Sequence, residues 1–407
     1  MTEKQPSIVP YQPATKHRNG LRLLALDGGG IRGIVALVTL QHLMKQVQER
    51  KGLKETPRPV DYFELAGGTS TGGIIGIMLF RLRMPVDKTI EQYYKIGKEV
   101  FSPKVYGWNI GWLPVGVSSR INNSKNLVQD SRFDDADLKK AIDDVVAEYG
   151  LDETDRNLKG NAPLLRSGAG RTFCCTTAQN RAETVLLRSY RPQQLDKDFY
   201  IPSAAHKMMK KHGDQVTISL AARATSAAPT FFPEVRFPEV GLLVDQDTSN
   251  KAKWEKERDA RERQLIFWDG GLLNNNPIDQ LWYARYELVH HIEPSPAISC
   301  VISLGTGWRK EASPDKAKVH LAGVVGSVMG FSTNTNAKAK DFTRHYNRLR
   351  HREEYAKSQY IRFQPTLEDD IGLADYHRMA ELQAITETYI KKDGSKEWID
   401  KAVRGRT

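Results

Sequence analysis

Ser70 lies in Gly67-Gly68-Thr69-Ser70-Thr71-Gly72-Gly73, between the apolar run Tyr62 to Ala66 and a second one from Ile74 to Met78. A Gly-x-Ser-x-Gly at a strand-to-helix junction pushes a serine hydroxyl out on a sharp turn, because Gly68 and Gly72 lack the side chains that would collide there. The spacing predicts a nucleophile elbow; a glycine-rich turn with a solvated serine is the plainer reading of the same letters. Asp27-Gly28-Gly29-Gly30-Ile31-Arg32-Gly33 follows the apolar run Leu21 to Leu26 and opens a helical pattern from Ile34 to Val47. Consecutive glycines there turn several backbone N–H groups toward one point at a helix start, which predicts an anion cradle. Asp269 ends the apolar run Ile266 to Trp268 and precedes Gly270 and Gly271, with Asn274-Asn275-Asn276-Pro277 beyond. An aspartate at the carboxyl end of a strand sits in the crevice where open α/β sheets bind ligands, although an Asp-Gly turn is the ordinary alternative.

Gly28, Gly30 and Gly33 also satisfy G-x-G-x-x-G. A dinucleotide site needs an acidic residue about 20 positions on, at the end of a second strand. Glu49 instead lies in the charged tail of the helix, and the next strand leads to Ser70. A Walker lysine is missing too, since Ile34 follows Gly33. No histidine stands out as a base: His42 is mid-helix, His290 and His291 end a helical pattern, and the others have neither a glycine turn nor an acidic partner beside them. Ser70 with Asp269 as its partner is the simplest catalytic pairing.

These residues resemble the patatin-like phospholipases, a family that includes patatin and the calcium-independent phospholipases A2. The likeness rests on DGGGIRG at Asp27 to Gly33, GTSTG at Gly68 to Gly72 and DGG at Asp269 to Gly271, in that order, with Ala221 to Phe232 similar to the segment before the DGG strand. It covers roughly residues 19 to 305. The resemblance implies an intracellular lipid acyl hydrolase of the phospholipase A or lysophospholipase type. Ser70 would attack the ester, Asp269 would take the proton, and amides of Gly28, Gly29, Gly30, Ile31 and Arg32 would form the oxyanion hole, with no cofactor and no metal. Arg32 could instead pair with a carboxylate to fix the loop. A signal-gated effector, or a patatin-fold storage or binding protein with weak esterase activity, is the alternative.

Strand patterns at 21–26, 62–66, 171–177, 184–189, 264–268, 298–304 and 359–363 alternate with helical patterns at 31–50, 71–82, 87–99, 134–149, 217–228, 277–291 and 375–392. They predict a three-layer α/β/α fold with a largely parallel central sheet and a C-terminal helical extension. The expected divisions are a flexible segment 1–18, a catalytic domain 19–310 and a mainly helical extension 311–407 packed on it. The charged stretch Asn250 to Arg263 reads as an exposed helix or loop, and Tyr106 to Val117, with Trp108 and Trp112, as a core-covering loop or an interfacial lid.

No apolar stretch approaches the roughly 18 residues of a membrane span, and the first 20 residues lack a signal-peptide core. A cytoplasmic, peripherally membrane-associated protein is expected. Cys174, Cys175 and Cys300 fit neither a disulfide framework nor a zinc site and read as buried thiols. The net charge of +11, from 60 basic and 49 acidic residues, favours an anionic membrane surface as partner. Without a recognisable binding motif, nucleic acid is not expected, and homo-oligomerisation is left open.

Overall fold

The computed structural model describes residues 20–102, 133–193, 203–289, 295–309, 335–352, 355–369 and 371–392, with 104–105, 108–109, 397, 399 and 401. The expected N-terminal segment 1–18 and the tryptophan-bearing segment 106–117, apart from the backbone at 108–109, lie outside the described residues.

The first strand, β1 (Leu21–Leu26), is apolar and buried on both faces from Leu23 onward, with Arg22 at its half-buried start, as suits a sheet covered by helices on both sides. Its chain turns through the glycines into α1 (Gly33–Lys51), which Gly52 ends in the left-handed conformation. The next strand, β2 (Leu65–Thr69), starts three residues later than its apolar pattern predicts. Pro59 opens a tight turn over Pro59–Asp61, and the strand then runs through Gly67 and Gly68. A side chain at Gly67 would strike the Phe173 ring, so the glycine is the packing surface for that ring.

Helices α2 (Thr71–Gly76), α3 (Val86–Phe101) and α4 (Asp135–Tyr149) follow. The chain continues through β3 (Thr172–Ala178), β4 (Glu183–Arg188), α5 (Ile218–Thr225), β5 (Val235–Phe237) and α6 (Lys253–Arg263). It is completed by β6 (Leu265–Asp269), α7 (Ile278–Ala284), β7 (Ile298–Leu304), α8 (Thr335–Leu349), β8 (Gln359–Phe363) and α9 (Met379–Lys391). The charged stretch before β6 is thus helical, with Trp254 63% exposed. No helix among the described residues is long and apolar enough to cross a membrane.

Eight of the described strands form one sheet in the order β8-β7-β1-β2-β3-β6-β5, with β4 also paired to β3, and two short two-stranded ladders, Trp308–Arg309 with Thr366–Leu367 and Lys104–Val105 with Trp108–Asn109, are separate from it. From β8 to β3 the strands are parallel, and β4, β5 and β6 add antiparallel pairs. Helices pack on both faces, giving the three-layer arrangement. The chain after residue 310 does more than cap this body, because β8 is itself the edge strand of the central sheet. Cys174, Cys175 and Cys300 are all buried with free thiols, and burial pushes Cys175 and Cys300 up to about 12.

Candidate active site

Strand β3 has two partners in succession along one path of the sheet. Thr69 of β2 pairs with Cys175, and Asp269 of β6 pairs with Thr176, the next residue. Because β2 is parallel to β3 and β6 antiparallel, the two strands approach each other and their last residues meet. Asp269 is the last residue of its strand, as its place after the apolar run predicts, and that strand runs antiparallel to its neighbours within the largely parallel sheet. Ser70 and Asp269 consequently face each other, and the Ser70 hydroxyl donates to Asp269 Oδ2 at 2.8 Å.

The elbow is as tight as its glycines demand. Ser70 has φ 52° and ψ −128°, a backbone conformation that costs a non-glycine residue about 1–3 kcal/mol. A Cβ at Gly68 would lie 2.2 Å from the Gly72 carbonyl oxygen, and one at Gly72 would lie 2.3 Å from that of Leu26. The Ser70 amide donates to Thr225 Oγ1 at 2.9 Å, and the Thr225 hydroxyl donates to the Cys175 carbonyl at 2.6 Å. Thr225 therefore braces the turn from α5. It lay within the recognised Ala221 to Phe232 segment, but its role depends on a hydrogen bond spanning 155 residues of sequence.

Asp269 is 6% exposed. Its Oδ1 accepts the Gly271 amide at 2.6 Å, and its own amide donates to the Ala227 carbonyl at 2.9 Å. Burial pushes the carboxyl up to about 6, against the lowering effect of the Gly271 and Ser70 donors. Such a carboxylate is far better matched to proton transfer near neutral pH than an exposed aspartate near 3.9.

The glycine-rich loop lies alongside. The Gly28 amide donates to the Asn275 carbonyl at 3.0 Å, that of Ile31 to Leu373 at 2.9 Å and that of Arg32 to Gly29 at 3.1 Å. Gly29 and Gly30 line a pocket with Ser70, Asp269 and Asn275. The rest of its wall is mostly apolar, with Ile74, Ile96, Val100, Phe101, Leu138, Phe231, Phe232 and Leu272. Neither Arg32 nor, among the described residues, any histidine belongs to that lining. A serine–carboxylate pair, backbone amides and an apolar cleft are what acyl transfer from a long-chain ester requires.

The family model described as patatin-like phospholipase matches residues 24–282. Calcium-independent phospholipase A2-gamma of Rattus norvegicus is 28% identical over 331 residues, covering 79% of this chain and 33% of that protein. The chain thus corresponds to about a third of the length of that relative. Patatin-like protein 1 of Arabidopsis thaliana is 24% identical over 406 residues, covering 94% of this chain and 83% of that protein. Among solved structures, VipD from Legionella pneumophila aligns with a TM-score of 0.31 and 12% identity, covering 90% of this chain and 67% of that one.

Proposed function

The chain belongs to the patatin-like phospholipase family, and on that premise we propose that it is a metal-independent serine hydrolase releasing fatty acids from phospholipids or related acyl lipids. The observation carrying this reading is the 2.8 Å hydrogen bond from Ser70 to a buried carboxylate at the mouth of an apolar pocket. Ser70 Oγ attacks the ester carbonyl as its proton passes to Asp269 Oδ2. Amides of Gly29 and Gly30 receive the oxyanion. Collapse of the tetrahedral intermediate breaks the bond to the leaving alcohol, which takes the proton from Asp269; water, deprotonated by Asp269, then cleaves the acyl-enzyme by the same route. The test is incubation with phospholipids, lysophospholipids and acylglycerols in EDTA, with products identified by mass. Free fatty acid that disappears with Ser70→Ala supports the proposal, and loss of product in EDTA removes its metal-independent part.

Asp269 must be ionised to accept the proton, so kcat/KM on a soluble ester should rise with pH through about 6 and level off above about 7. A profile flat from pH 5 to 8 would assign the base elsewhere. The same shift bears on stability. The folded carboxyl binds its proton more tightly than the unfolded one, so its contribution favours folding in acid and falls as pH rises from about 4 to about 6. Removing the ionisable group removes that cost, up to about 3 kcal/mol for a shift of about two units. Asp269→Asn should therefore melt above the wild type at pH 8; a lower melting temperature would contradict this.

The net charge of +11 supports docking on an anionic membrane surface. Binding to vesicles should rise with anionic lipid and fall with salt, since exposed charges are screened over about 10 Å at roughly 0.1 M. Hydrolysis of a short soluble ester should barely respond. Equal salt sensitivity of the two would remove the docking proposal.

A further inference from the structure

A trans peptide holds its C=O and the following N–H on opposite sides, so a partner that binds the carbonyl also aims the amide. The Thr306 hydroxyl donates to the Gly28 carbonyl at 3.1 Å. It thereby turns the Gly29 N–H to the other side of the loop. Gly29 lines the pocket with Ser70, whereas Thr306 does not. A Cβ at Gly29 would lie 2.4 Å from Thr306 Oγ1, so the hydroxyl also packs directly against the loop. The adjacent peptide is held in a similar way, because the Gly29 carbonyl accepts the Arg32 amide at 3.1 Å. Thr306 is 3% exposed and follows β7, beyond residue 282 where the family match ends.

We propose that Thr306 is a positioning residue that aims the Gly29 amide at the oxyanion; this rests on the hydrolase reading above. It does not line the pocket that holds Ser70. Losing an oxyanion donor outright typically costs about 10²–10³ in kcat, so a donor left in place but no longer aimed should cost about ten- to a hundredfold.

Thr306→Val keeps the shape and removes the hydroxyl, while Thr306→Ser keeps the hydroxyl. With a short-chain soluble ester, Thr306→Val should lower kcat about ten- to a hundredfold with KM within about twofold, and Thr306→Ser should recover most of that loss. A trifluoromethyl ketone, whose adduct with Ser70 carries the oxyanion, should lose affinity in proportion to kcat. The matching alkane, which forms no adduct, should bind as before. If Thr306→Val does not fold, Thr306→Ala against Thr306→Ser makes the same comparison. The proposal is overturned if the hydroxyl-free variant turns over within about twofold of wild type, if only KM changes, or if serine restores nothing. A wild type without esterase activity, or a Ser70→Ala variant that keeps it, would remove the hydrolase reading and this proposal with it.

Discussion

Ser70→Ala should lower ester turnover at least about a thousandfold, and Asp269→Asn by a similar order, with both proteins remaining folded. The 2.8 Å hydrogen bond makes the two residues one proton-transfer unit, so their losses should not add. The double variant should be no worse than the poorer single. Turnover of a short-chain ester and thermal melting together check this, since only intact folding makes the kinetic loss interpretable. If Ser70→Ala kept more than about a tenth of the activity, the nucleophile would have to be another residue. Additive losses in the double variant would mean that the two side chains act in separate steps.

Arg362→Met is expected to destabilise the protein by about 3–5 kcal/mol, the usual cost of leaving one partner of a buried ion pair alone. The Arg362 guanidinium grips Asp27 with both prongs, Nη1 to Oδ1 at 2.9 Å and Nη2 to Oδ2 at 2.5 Å. The Asp27 side chain has no exposure, and that of Arg362 only 12%. Burial holds the Asp27 carboxyl above the usual carboxylate range even though Arg362 lowers it, so without the guanidinium it should rise further. The companion variant Asp27→Leu with Arg362→Met removes both charges and should recover at least half of the lost stability in urea unfolding. A cost below about 1 kcal/mol for Arg362→Met would show that the pair contributes little. Because Asp27 begins the glycine loop and Arg362 belongs to the edge strand β8, the same contact joins the chain after residue 310 to the active site.

Much of the fold and of the candidate site is legible in local sequence, for reasons that are themselves local. Short, mostly apolar runs such as Leu21–Leu26 and Ile298–Leu304, followed by glycines, fit central strands, because a strand buried on both faces tolerates little polarity. The elbow at Ser70 was legible because only glycine fits at positions 68 and 72. Asp269 could be singled out by residue type and by the Gly pair after it. The late start of β2 was less visible, since apolar character alone places the strand at Tyr62, and packing against Phe173 carries it on through Gly67.

What tertiary structure alone decided is how these pieces meet. The reversed direction of β6, which brings Asp269 head-on to Ser70, depends on pairing with Thr176, Thr177 and Ala178, and residue identity does not specify the sense of an antiparallel pair. The rise of the Asp269 carboxyl to about 6 follows from its burial, a property of the assembled site. Thr306 and Arg362 carry no motif of their own, and the segment that contains Thr225 does not reveal its role, because a single hydroxyl or guanidinium gains a role only from the partner it reaches. Those partners lie 155, 278 and 335 residues away in sequence, and only the assembled fold brings them within a hydrogen bond.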